Sequence, residues 1–278
     1  LQNKPYFIGR VSHNEASLCG QLLAGKQPDA NLRYNMLWVA GIQFKGSSDI
    51  RDYVKAYTSA INECSLVGIY DTLMYTHMIE FHTFMMRLMY KKSRFCIEGL
   101  EPFRYMDEED YRFADLLVSK RILIITSHAD TVQQQIDKKK MYHKKSIFPE
   151  SATLQVYRSV QQNGKSHDDQ SWKEHLEKMK EDLRVLSNTD PYDVVIAGCG
   201  GFGMILSNFL HKELSKSVIY VGGALQLFFG IKGNRWREDI EYTEDWVDSL
   251  DSDKPVEPAV CESGCYWSET QEELLLEI

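Results

Sequence analysis

No stretch of this chain approaches the roughly 18 consecutive apolar residues of a membrane-spanning helix, and residues 1–7 lack the apolar core of a signal peptide. Basic charge is in deficit too. Lys and Arg total 32 against 40 Asp and Glu, a net charge of −8, which argues against a broad nucleic-acid surface. The six cysteines (Cys19, Cys64, Cys96, Cys199, Cys261, Cys265) contain no Cys-x-x-Cys pair. Cys261 and Cys265 have no second pair to complete a zinc site. Several lie in apolar contexts where a free thiol acts as a small hydrophobe, so a reducing, cytoplasmic setting is expected. There is no Gly-x-Ser-x-Gly elbow and no Gly-x-x-x-x-Gly-Lys-Ser/Thr phosphate loop. Serine hydrolase and P-loop ATPase chemistry are therefore disfavoured. Asp251-Ser252-Asp253 falls in an acidic, Pro-containing stretch, 245–258, that reads as a surface connection. His77 and His82 are five apart, which is not the i,i+4 spacing of a metal pair, and they read as core residues.

What remains is an ordinary globular composition of 278 residues, 43% hydrophobic and 12% aromatic. Short apolar runs alternate with amphipathic stretches. Strands are expected at 6–11, 66–70, 94–97, 121–127, 146–148, 153–160, 194–197 and 218–221. Helices are expected at 14–23, 47–64, 73–90, 108–117, 130–138, 171–186 and 202–214. The alternation implies an α/β fold with a mostly parallel sheet and helices on both faces. Two Rossmann-like halves, 1–118 and 119–267, would surround one cleft, followed by an acidic tail over 268–278.

The densest signal is Tyr192–Trp236. A buried strand ends in Gly198-Cys-Gly200-Gly201-Phe-Gly203, and a helix begins there. Backbone N–H groups and a helix dipole at such a turn favour an anion. The spacing fits Gly-x-Gly-x-x-Gly, yet no Asp or Glu follows about 20 residues on to hold a dinucleotide ribose. NAD or FAD is disfavoured, and a nucleotide or phosphorylated ligand is the expectation; a ligand-free packing turn is the alternative. Gly222-Gly223 ends the next strand, bringing a second glycine turn to the same sheet edge. Lys232 and Arg235 follow closely and are candidates to neutralise a diphosphate.

Polar residues recur at the ends of other strands. Ser12-His13-Asn14-Glu15 reads as a capping box, and also places Arg10 and Glu15 at the sheet edge. Asp71 and His128 stand just after two more buried strands, which points to one shared cleft.

Several blocks together resemble glycosyltransferases of bacterial polysaccharide clusters and large DNA viruses, related to the GT-D type of fold. They are Phe7–Glu15, Glu101-Pro-Phe, Arg121–His128 with Gln133–Gln135, Asp193–Gly203, Val221–Gln226, Phe229–Trp236 and Glu262–Trp267. The resemblance implies transfer from a nucleotide-sugar donor to a glycan or lipid-linked saccharide acceptor. GT-D enzymes carry an Asp-x-Glu near the N-terminal Arg. Glu15 holds the Glu position here and His13 replaces the Asp, so no cofactor is expected to be required, Mn²⁺ and Mg²⁺ included. Arg10, Gly198–Gly203, Gly222, Gly223, Gln226, Lys232 and Arg235 are then the donor-binding candidates. Glu15 is the first candidate base, with Asp71, Glu101 and His128 behind it. A nucleotide-dependent oxidoreductase or epimerase, and a non-catalytic nucleotide- or glycan-binding protein, are the rival readings. The sugar, the stereochemistry and the oligomeric state are not written in the sequence.

Overall fold

In the computed structural model, which describes residues 4–70, 79–89, 92–101, 113–138 and 147–268, seven parallel strands form one sheet. The strands are β1 (Phe7–Arg10), β2 (Leu66–Ile69), β3 (Arg94–Cys96), β4 (Arg121–Thr126), β5 (Thr153–Arg158), β6 (Val194–Gly198) and β7 (Ser217–Tyr220). Their order is β3-β2-β1-β7-β6-β4-β5. β1–β3 lie side by side at one end and β4–β7 at the other. The β1–β7 ladder, with Ile8 opposite Ile219, joins them, so the two expected halves share one continuous sheet.

Strand alternation explains the two cores. Phe7, Leu123, Ile125, Val195, Ala197 and Val218 face one side; Ile122, Ile124, Val194, Ile196 and Ile219 face the other. A parallel sheet buried on both faces needs apolar residues at nearly every position, as in β4, where only Arg121 is exposed. The first face is covered by α1 (His13–Leu23), α2 (Ala30–Trp38), α3 (Ser47–Glu63), α4 (Ile79–Met89), α6 (Trp172–Thr189) and α7 (Gly203–Lys212). The second face is covered by α5 (Ala129–Asp137) and by short 3₁₀ turns at Phe113–Leu117 and Gly222–Phe229. Among the described residues no helix is long and apolar enough to cross a membrane.

Four local expectations change. Helix α2 was not anticipated. It buries only Leu32 and Met36, so its apolar period is faint, and it is started by Asp29, whose side chain accepts from the Leu32 N–H at 2.8 Å. Of the strand expected over 146–148, Ile147 and Phe148 form a bend; they are buried, with Phe148 stacked on Phe229, but join no ladder. Of the helix expected over 108–117, the described part is the 3₁₀ turn at Phe113–Leu117. The capping box at Ser12 does not form: the Ser12 N–H donates to Tyr57 Oη at 3.1 Å, and its side chain makes no cap bond. The box forms instead at Ser171 and Glu174, opening α6.

The connection over 245–258 is not merely surface. Asp253 is completely buried. Its carboxylate accepts from the Asp130 and Thr131 N–H groups (3.2 and 2.7 Å) and from Thr131 Oγ1 (2.6 Å), and pairs with Arg158 at 2.8 Å. It thus caps α5 from 120 residues away and holds the segment against the sheet edge.

Candidate functional site

The carboxyl ends of β1, β2, β4, β6 and β7 open into one cleft of about 140 Å³, the edge at which open α/β sheets bind ligands. Arg10 ends β1 and Ser12–Glu15 follow it, Tyr70 follows β2 and His128 follows β4. Gly198 ends β6, Gly200 and Gly201 follow it, and Gly222–Gly223 follow β7. Arg235, Glu262, Tyr266 and Trp267 close it from the C-terminal part of the chain. The volume is below the roughly 300–1,000 Å³ of pockets that enclose whole small ligands. It suits the central part of a longer ligand rather than all of it.

Arg10 is half-buried. Nη1 donates to Val221 O at 2.9 Å and Nη2 to Tyr70 Oη at 2.8 Å, while Nε is buried with no partner. Both partners are neutral, and among the described residues no carboxylate forms an ion pair with this guanidinium. Gly222 makes room for it, since a methyl group there would lie 2.6 Å from Arg10 Nη1 and the backbone has φ +75°. A second guanidinium, Arg235, is near enough for Arg10 to feel its like charge. Arg235 Nη1 donates to Tyr266 Oη at 3.1 Å, and Nη2 pairs with the Glu262 carboxylate. Its Cζ stands 4.7 Å from the Tyr266 ring centroid, a cation–π contact. Two arginines, always charged, thus line one small cleft.

Glu15 is 3% exposed. Burial pushes its carboxyl up to about 7; Arg10 opposes the shift and Glu262 adds to it. His128 moves the other way, down to about 4, mainly through burial, with Asp253 opposing and Arg158 adding. Its Nδ1 shares a 3.0 Å hydrogen bond with Ser249 Oγ. At neutral pH the imidazole is therefore uncharged and Glu15 is poised between its two forms. Trp267, its indole N–H buried without a partner, lies beside the imidazole at 6.2 Å between centroids.

No family model matches this chain, and no curated protein matches it. Among solved structures it is similar to a selenomethionine-substituted domain of unknown function 1792 (DUF1792), at 13% identity over 89% of this chain and 86% of that one, with a TM-score of 0.46. Likeness this slight assigns neither an activity nor a site. The chemistry is left to the residues themselves.

Of the sequence candidates, Arg10, Glu15, His128, Gly198, Gly200, Gly201, Gly222, Gly223, Gln226 and Arg235 all line the cleft. Asp71 lies outside the described residues. Glu101 stands at the end of the 3₁₀ turn Ile97–Leu100 and does not line the cleft; nor does Lys232, whose Nζ lies 3.5 Å from Asp248. Gln226 ties segments together instead of reaching out: Nε2 donates to Lys232 O (2.8 Å) and Tyr266 O (3.1 Å).

The glycine turn departs from expectation in detail. A methyl on Gly203 would lie 2.0 Å from the Tyr220 ring, so this glycine serves close packing and sits away from the cleft. Gly200 has φ +52° and lies under Ala40 O, and the Gly201 N–H donates to that carbonyl at 2.8 Å. The 40–42 segment thus lies directly over the glycine turn.

Tyr70, Glu262, Tyr266 and Ser249 were not named as site residues from the sequence, although Glu262 and Tyr266 lie in one of the blocks that carry the resemblance. Tyr70 could have been, by the same strand-end rule that drew attention to Asp71. Glu262 and Tyr266 come from a loop with no periodic signal. Among the described residues no three His, Cys, Asp or Glu converge as a metal set, and no step is derived through a divalent ion.

Proposed function

We propose that the cleft binds the diphosphate of a nucleoside-diphosphate sugar and transfers the sugar to a hydroxyl of a glycan or lipid-linked saccharide acceptor. The observation that carries this reading is the half-buried Arg10 and the more exposed Arg235 lining one cleft with a buried carboxyl whose affinity for a proton is centred near neutrality. Charge grows on the leaving diphosphate as the anomeric C–O bond breaks. Preorganised guanidiniums in a cleft shielded from water stabilise it there most. The acceptor oxygen forms the new bond to the anomeric carbon, its proton passes to Glu15, and the electron pair of the broken bond leaves on the diphosphate. A base with its pKa near working pH is suited to that transfer. Neutral His128, fixed by Ser249, is placed to hydrogen-bond donor or acceptor. Dinucleotide chemistry is disfavoured because protein atoms fill the space over Gly200, Gly201 and Gly203.

Calorimetry with UDP, GDP, CMP, dTDP and NAD⁺, each with and without Mn²⁺ or Mg²⁺, tests the reading. One nucleoside diphosphate should bind, and Arg10→Ala should weaken it by about 1.5–3 kcal/mol, the worth of a charge-assisted contact. With the matching donor sugar, Glu15→Gln should abolish transfer and leave donor binding within a few-fold. Binding of NAD⁺ alone would replace this reading with an oxidoreductase. Binding of a nucleotide without transfer or hydrolysis under any acceptor would reduce it to a binding module.

A further inference from the structure

Glu262 sits on Arg235, the second of the two guanidiniums that line the cleft. Its carboxylate accepts from Arg235 Nη2 and from Cys265 Sγ at 3.3 Å, and its charge reaches across the cleft to Glu15. The backbone that puts it there is unusual. Glu262, Ser263 and Gly264 are all left-handed, at φ +50°, +56° and +72°. Two of the three carry side chains that disfavour that region, so the turn is held by its surroundings rather than by its own preference. The Glu262 side chain is 38% exposed, so it has room to swing out. Arg10, by contrast, has only neutral hydrogen-bond partners among the described residues.

The cleft is therefore asymmetric: one guanidinium is open to an anion and one is already answered by an internal carboxylate. We infer that Glu262 is a built-in competitor for the anion site, selecting a diphosphate over a monophosphate. The inference rests on the donor-binding reading above. A single phosphate pairs with Arg10 and leaves Arg235 to Glu262. A diphosphate bridges both guanidiniums and brings enough charge to displace Glu262. The same competition helps the diphosphate product to leave once transfer is complete.

The test compares inorganic phosphate and pyrophosphate as calorimetric probes on the wild type, Glu262→Gln and Ser263→Gly at one ionic strength, with melting temperatures confirming that each protein is folded. Glu262→Gln should tighten phosphate binding about tenfold and pyrophosphate binding less, so that the preference for pyrophosphate shrinks. Ser263→Gly eases the backbone and keeps the carboxylate, and should retain the wild-type preference. Weaker pyrophosphate binding in Glu262→Gln would make Glu262 a ligand contact and overturn the inference, as would an unchanged preference. So would Ser263→Gly shifting the preference as far as Glu262→Gln does, because the backbone would then set it. If wild type binds pyrophosphate through Arg10 while Glu262→Gln keeps the preference, only this inference falls. If no protein binds pyrophosphate or a nucleoside diphosphate, the donor-binding reading falls with it.

Discussion

Replacing Glu15 by Gln should make the protein more stable at pH 8 and barely change it at pH 4.5, while removing activity. The carboxyl is buried, and its pKa rises from an ordinary 4.5 to about 7. In the interval between those values the folded chain holds a proton that the unfolded chain has released. Stability is therefore fully present below about 4.5, falls as pH rises through the interval, and levels off above about 7. At about 1.4 kcal/mol per pH unit, the loss attributable to Glu15 is about 3 kcal/mol. Gln has nearly the same volume and does not titrate, so the variant escapes that loss. Its amide carries some fixed cost or benefit of its own, which cancels when the wild-type-minus-variant difference is compared across pH. Thermal melts of both proteins from pH 4.5 to 8.5 should show the variant gaining about 5 °C relative to wild type over the series, for a chain of this size. A difference that stays flat with pH would mean that Glu15 ionises as an ordinary carboxylate. The account of it as a desolvated base would then fail, whatever the activity of the variant.

Two further substitutions probe what surrounds the cleft. Gly222→Ala places a methyl 2.6 Å from Arg10 Nη1 at a left-handed position. It should cost about 1–2 kcal/mol of stability from the backbone alone, and weaken nucleoside-diphosphate binding by moving the guanidinium; calorimetry showing unchanged affinity would mean Arg10 does not hold the ligand. Asp253→Ala leaves the Thr131 N–H and hydroxyl buried without their acceptor and Arg158 without its buried partner. Urea unfolding should register a loss of about 3 kcal/mol or more. A loss below about 1 kcal/mol would show that solvent readily replaces Asp253 there.

The strands were legible because a parallel sheet covered on both faces must be written in continuous apolar runs. Arg121–Thr126, Val194–Gly198 and Ser217–Tyr220 could hardly be read otherwise. Helix α2 was not legible: seven of its nine residues are left at least partly exposed, and its start depends on a side chain at Asp29 rather than on periodicity. Asp253 was misread for a related reason. A run of acidic residues next to proline looks solvated, and only the tertiary approach of α5 gives one carboxylate two backbone N–H groups and a hydroxyl to accept from.

The candidate site was half legible, and the division has a physical cause. Topology places the residues after each parallel strand at one edge, so Arg10, Glu15 and His128 could be grouped from strand positions alone. A glycine pattern records that something approaches the backbone closely without recording what. Here Ala40, Tyr220 and Tyr266 approach Gly200, Gly203 and Gly223 respectively, while Gly222 makes way for a guanidinium. On the reading proposed above, the anion would be held by two arginine side chains rather than by backbone amides, which only an altered main chain could remove. Affinity for a diphosphate should then fall with each arginine deleted and with rising salt at the exposed Arg235 end. A phosphate held by a glycine turn would survive both changes.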